Sequence, residues 1–284
     1  MTFEGYVAGM TSATSLVQRA ARGVRYRVGG DGEPLVLVHG LGGSGGNWVE
    51  VLPELLERHR VLVVDLPGHA GSSALPRGST VDDFAGAVAN VLAAEGVESA
   101  LLAGHSFGGL VALRFAHTRP ELVRGLLLVA PAGIKTSSRL TEALVVAATT
   151  IRPGRAVAPF RHRWAGRVWY RRAVFRPWFV SDPVGLSEQA THGLLADQGR
   201  HTDTRVAGRA MVAGDPRRDL GGVTCPAIVL WGARDVQLPL DDAFEYARRL
   251  RAQLRLVADC GHLVIVERPR AVVDALASLV TQSH

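Results

Sequence analysis

Residues 101–110 read LLAGHSFGGL and place Ser106 between glycines at the end of an apolar run. The pentapeptide G-H-S-F-G fits G-x-S-x-G, a sharp strand-to-helix turn that lifts a reactive hydroxyl above a sheet. An isolated hydroxyl is a poor nucleophile and needs a base, and the base needs a group to orient it. Two downstream stretches offer both. WGARD at 231–235 puts Asp235 directly after one apolar run, and DCGH at 259–262 puts His262 directly after the next. In acyl transfer the substrate oxygen gains negative charge, so N–H donors must face it. HGLGGS at 39–44 supplies glycine-freed amides upstream. Leu41 N–H is one candidate donor, and Phe107 N–H, directly after the serine, is the other.

The plainer alternative makes Ser106 a polar filler in an ordinary turn. The ordered partners weigh against it. Asp65 also ends an apolar run but precedes Ser106, and the APAG that follows residues 126–130 has no carboxylate, which leaves Asp235 as the acid. Other residues near these stretches read as structural. His39 and His105 suit hydrogen-bonded roles beside functional loops. His69 and Asp65 suit bracing of the turn after a strand. Trp231 reads as core packing at a strand end, and Cys260 as an inert buried thiol.

These groups must be carried on elements that converge. Short apolar runs without polar alternation occur at 35–38, 61–64, 100–103, 126–130, 227–231 and 254–258. Such runs predict strands buried on both faces of a parallel sheet. Between them lie amphipathic helical segments. Residues 80–95 open with Thr80 and Asp83 as a capping pair and set Phe84, Val88, Val91 and Leu92 on one face. Residues 240–251 begin with Asp241 and Asp242 and end with Arg248, Arg249 and Arg251, which complements the helix dipole. The alternation predicts an α/β fold whose candidate groups sit at carboxyl strand ends. It breaks across 132–222, which reads as an inserted, mainly helical lid between two strands. The core is then 1–131 and 223–284.

Composition bounds the function classes. The 284 residues are 47% hydrophobic and 20% charged, as in ordinary globular chains. No apolar run approaches the ~18 residues of a spanning helix. The first 20 residues hold no continuous apolar stretch, so the reading expects no leader and a cytoplasmic location. Cys225 and Cys260 lack metal-ligand spacing, and neither metal nor organic cofactor is expected. The net charge is +6, and Lys135 is the sole lysine among 32 basic residues. The charge is local: 131–220 holds 15 basic and 7 acidic residues, while the rest of the chain is slightly acidic.

HGLGG (39–43), DLPGHAGSS (65–73), GHSFGG (104–109), WGARD (231–235) and GHLVIVERP (261–269) together resemble the α/β-hydrolase superfamily. The resemblance covers roughly 33–131 and 223–284. It implies an eight-stranded, mostly parallel sheet flanked by helices, with a lid inserted after the sixth strand. It also implies Ser106 as nucleophile, His262 as general base and then acid, and Asp235 as orienter, with no cofactor. Proteins similar to this one include carboxylesterases, lactonases, cofactor-independent haloperoxidases and carbon–carbon bond hydrolases. Serine at 106 argues against the related epoxide hydrolases and haloalkane dehalogenases, which carry Asp there. Leu263 stands where carbon–carbon bond hydrolases commonly carry Trp.

The expected activity is hydrolysis of a carboxylic ester bearing a hydrophobic acyl or aromatic group. A thioester, a lactone, a carbon–carbon bond or peracid formation are alternatives with the same triad, and a binding module that lost the chemistry is the non-enzymatic one. Between Arg152 and Arg176 eight arginines interleave with Phe160, Trp164, Trp169, Tyr170 and Phe175, with no acidic residue. One reading packs the aromatics over the site and leaves the arginines solvated. Another makes this stretch a docking face for an anionic membrane surface, the phosphates of coenzyme A or an acyl carrier. Nucleic acid is not expected, because no recognised module accompanies the charge.

Overall fold

The protein is described by a computed structural model covering residues 16–134, 161–175 and 179–282. Eight strands form one sheet: β1 (Val17–Ala21), β2 (Val24–Gly29), β3 (Glu33–Val38), β4 (His59–Asp65), β5 (Ala100–His105), β6 (Val123–Val129), β7 (Ala227–Gly232) and β8 (Gln253–Val257). Their spatial order is β1-β2-β4-β3-β5-β6-β7-β8. From β4 to β8 every pairing is parallel, while β1 and β2 add an antiparallel margin. The α/β expectation and the eight-stranded sheet both hold.

The helices in chain order are α1 (Leu52–Leu56), α2 (Val81–Ala94), α3 (Phe107–Thr118), α4 (Arg161–Trp164), α5 (Val168–Phe175), α6 (Glu188–Leu195), α7 (Arg205–Ala213), α8 (Leu240–Leu250), α9 (Val264–Glu267) and α10 (Pro269–Gln282). Side chains on a strand alternate between faces, and the core divides accordingly. Val36, Val38, Leu62, Val64, Leu102, Leu126, Leu128 and Val229 join one buried cluster with α2, α3 and α8. Leu35, Leu37, Val61, Val63, Leu101, Leu127, Ile228 and Leu230 join the other with Trp48 and α10. Burial on both faces is why the runs show no polar alternation. The expected face of α2 is buried as read, and Thr80 and Asp83 form its capping box.

Two strand readings need correction. The run at 254–258 was expected to be buried on both faces, but β8 is an edge strand with Leu256 43% exposed. β1 and β2 leave no apolar run, because arginines interrupt VQRAA and VRYRVG at the sheet margin.

The topology also positions the site. From β3 the chain crosses to β4 on one side and then returns to β5 on the other. Loops leaving β3 and β5 therefore part in opposite directions and open a crevice at the carboxyl edge. HGLGGS leaves β3, and Ser106 leaves β5.

The segment between β6 and β7 holds short helices joined by turns where described. It packs into both clusters: Val206, Ala207 and Met211 enter one, and Tyr170, Phe175, Ala190 and Leu194 the other.

Phe84 is fully buried and meets Phe107 edge-on at 5.1 Å, so α2 supports the residue beside the candidate nucleophile. Phe84→Ala is expected to remove about 3–5 kcal/mol of stability in urea unfolding. A loss below about 1 kcal/mol would contradict this packing.

Candidate active site

Ser106 forms the junction of β5 and α3. Its φ of 53° and ψ of −118° place a non-glycine residue in a strained region, so the strain sits on the serine itself. The flanking glycines serve closeness instead. A Cβ on Gly104 would collide with the carbonyl of Gly108, and a Cβ on Gly108 with the carbonyls of Val38 and His39. The backbone is tied on both sides: Ser106 N–H donates to Val129 O at 3.0 Å, and Ser106 O accepts from Ala132 N–H at 3.0 Å. α3 begins directly behind the hydroxyl, and its amino-terminal dipole favours developing negative charge.

The structure brings His262 and Asp235 together. His262 Nδ1 lies 2.8 Å from Asp235 Oδ2, with both side chains almost fully buried. The other carboxylate oxygen accepts from Gln237 N–H at 2.8 Å and Leu238 N–H at 3.0 Å, which fixes the carboxylate plane. An Nδ1–H donated to Asp235 leaves Nε2 with a lone pair, the tautomer a base requires. The two loops are bound together by Ala233 N–H on Val257 O and Arg234 N–H on Cys260 O, both at 2.9 Å. Gly232 has no room for a side chain, because a Cβ would strike the carbonyls of Cys260 and Gly261. His105 lies under this pair. Its Nε2 is 3.1 Å from His262 O, and the two rings are 4.9 Å apart.

The loop after β3 is fixed peptide by peptide. Gly40 O accepts from Gly43 N–H at 3.1 Å and from His39 Nδ1–H at 2.8 Å. A planar trans peptide then directs Leu41 N–H the opposite way. Gly42 has φ 71°, the conformation a type II turn requires at that position. Gly42 N–H donates to His69 Nε2 at 3.0 Å. Among the described residues neither Leu41 N–H nor Phe107 N–H has a protein acceptor.

Three imidazoles meet edge to face beside this loop. His39 and His69 rings are 5.0 Å apart, and His69 and His201 5.3 Å. His39 Nε2 accepts from Leu66 N–H at 3.0 Å, and His69 Nδ1 is 3.0 Å from Pro67 O. Their nitrogens are thus spent on backbone. Among the described residues no group of three or more His, Cys, Asp or Glu is arranged to hold a metal ion. Below lies a buried ion network: Arg27 reaches Asp65 and Asp197, each at 3.1 Å, and Asp65 accepts from Gly45 N–H at 2.7 Å. Burial pushes the Asp65 carboxyl up to about 6 against the pull of Arg27. The bracing role read for Asp65 and His69 matches this geometry, as does the buried, hydrogen-bonded role read for His39. Burial also raises the Cys260 thiol to about 12, far from thiolate chemistry.

Sequence reasoning missed the contribution of the segment between β6 and β7. Gln198 Nε2 donates to Gly42 O at 2.8 Å, and His201 Nε2 lies 3.1 Å from the same oxygen. On the other side, Leu263 N–H donates to Phe179 O at 3.0 Å. Glu267 accepts from Gly261 N–H at 2.9 Å and from the Ser181 hydroxyl at 2.7 Å. Only Glu267 left a signal, as the acid of GHLVIVERP. The aromatics do not all pack inward: Tyr170 and Phe175 are buried, but Trp169 is 58% exposed. Phe160, Arg152, Arg155 and Arg176 lie outside the described residues. Also among the described residues, no helix is long and apolar enough to cross a membrane.

The buried imidazoles set a pH dependence. Burial lowers His39 and His105 to about 3, and His69 well below its ordinary value. The unfolded chain takes up those protons near pH 6.5. Their stabilisation is therefore complete above about pH 6.5 and is lost progressively as pH falls toward about 3. Melting temperature is expected to drop steadily from about pH 7 to about pH 4, with net proton uptake on unfolding; a flat profile contradicts neutral buried imidazoles.

Comparison with known proteins agrees with this architecture. The sequence pattern described as "Alpha/beta hydrolase family" matches residues 35–275. The acetyltransferase component of an acetoin cleaving system in Pseudomonas putida is 32% identical over 260 residues, covering 87% of this chain but 63% of that protein. The pimeloyl-[acyl-carrier protein] methyl ester esterase of Chromobacterium violaceum is 32% identical over 256 residues, covering 89% and 97%. An esterase structure from a Rhodococcus species superimposes with a TM-score of 0.73 at 26% identity, covering 95% and 99%. The chain belongs to the alpha/beta hydrolase family.

Proposed function

We propose that this protein is a serine hydrolase that cleaves carboxylic esters through an acyl-enzyme. The observation that carries the reading is the buried 2.8 Å contact between His262 Nδ1 and Asp235 Oδ2, beside a serine held on a strained turn. Ser106 attacks the carbonyl while His262 Nε2 takes its proton. Asp235 holds the ring and stabilises the imidazolium. Leu41 and Phe107 N–H groups receive the oxyanion. His262 then protonates the leaving alcohol and activates water for deacylation. The segment 132–222 acts as the lid that selects substrate, and its aromatic content favours an apolar or aromatic acyl group. The two free thiols suit a reducing, cytoplasmic setting.

A second reading concerns what carries the ester. The Chromobacterium violaceum relative is described as acting on pimeloyl-[acyl-carrier protein] methyl ester. Here Arg163, Arg167 and Arg172 are exposed, and none forms an ion pair among the described residues. That excess of positive charge supports an ester presented on an anionic carrier.

A kinetic panel of esters, thioesters and lactones graded by acyl length tests both. Ser106→Ala is expected to abolish turnover, and Asp235→Asn to lower kcat about 10⁴-fold with the fold retained. Turnover surviving in Ser106→Ala, or a preference for short charged acyl groups, contradicts the reading.

A further inference from the structure

The donor loop is held from outside the sheet by a segment that joins no strand. Residues 197–201 lie between β6 and β7, yet two of their side chains converge on one carbonyl. Gln198 Nε2 donates to Gly42 O at 2.8 Å while a second bond to Leu194 O at 3.2 Å fixes the amide. His201 Nδ1 accepts from Ala70 N–H at 3.0 Å, so Nε2 carries the proton and donates to Gly42 O at 3.1 Å. Asp197, at the head of this segment, is anchored by buried Arg27, which also holds Asp65 below the loop.

These bonds act on peptide planes. Gly40 O, Gly42 N–H and Gly42 O are each held by a side chain: His39, His69, and the pair Gln198 and His201. A Cβ at Gly42 would meet nothing within 4 Å, so no side-chain packing on that side holds the residue. Side chains hold its peptide groups by hydrogen bonds, two of which come from the segment between β6 and β7.

We propose that Gln198 and His201 are positioning residues that hold the Leu41 amide in register with the substrate oxygen, which couples the insertion to the donor loop. This rests on the reading of Leu41 as an oxyanion donor. Misplacement of such a donor weakens transition-state binding and leaves ground-state binding nearly unchanged. Two variants separate hydrogen bonding from bulk. His201→Phe keeps a ring against His69 but has no donor, and Gln198→Met keeps the length without the amide.

The test is the rate at which a fluorophosphonate labels the serine, because the phosphoryl oxygen occupies the oxyanion position whatever the natural substrate is. The double variant Gln198→Met/His201→Phe is expected to lose about tenfold to hundredfold in the maximal labelling rate. The half-saturating probe concentration should stay within about twofold, and melting should show the fold intact. Gln198→Met/His201→Gln, which restores a donor at 201, is expected to recover part of the loss. Wild-type rates in the folded double variant overturn the inference, as does an equal loss in Gln198→Met/His201→Gln. Labelling that persists in Ser106→Ala overturns the underlying reading instead.

Discussion

Much of this structure depends on how closely three backbone segments approach around Ser106. Gly104, the next-to-last residue of β5, lies against the carbonyl of Gly108, and Gly108, in the first turn of α3, lies against the carbonyls of Val38 and His39. No side-chain carbon fits at either contact. The tightness lets the loop after β3 lie beside the serine, where Gly40 comes close to the Ser106 Cβ. It also concentrates strain at φ 53° on Ser106, and the bonds to Val129 and Ala132 hold that conformation in place. A looser turn would relax the serine.

The loops above this contact follow the same logic of fixing backbone. Asp235 uses one carboxylate oxygen for its own turn and the other for His262. Each nitrogen of His39 and His69 meets a backbone group, which leaves these rings as struts. Burial keeps them uncharged at neutral pH. The segment between β6 and β7 is part of this scaffold. It touches the loop after β3 through Gly42 and the loop after β8 through Glu267 and Leu263.

The sequence made the central groups readable because each stands where glycine or a strand end leaves a mark. Ser106 was found from its glycines, and Asp235 and His262 from their places after β7 and β8. The parallel strands were readable because both faces are buried, which removes polar alternation. β1 and β2 were not, since their arginines lie at the sheet margin and break the apolar run. Gln198 and His201 carry no motif, and their partner is a carbonyl 156 and 159 residues away. Only tertiary packing makes that meeting visible. Trp169 departs from the reading that packs these aromatics over the site, because its ring is exposed.

The central claim is that Ser106 is the group that becomes covalently modified. Mass-spectrometric mapping of the folded protein after reaction with a fluorophosphonate tests it most directly. The account predicts one adduct, on the fragment containing GHSFG and at Ser106. An adduct at another residue, or none on folded protein, would contradict it.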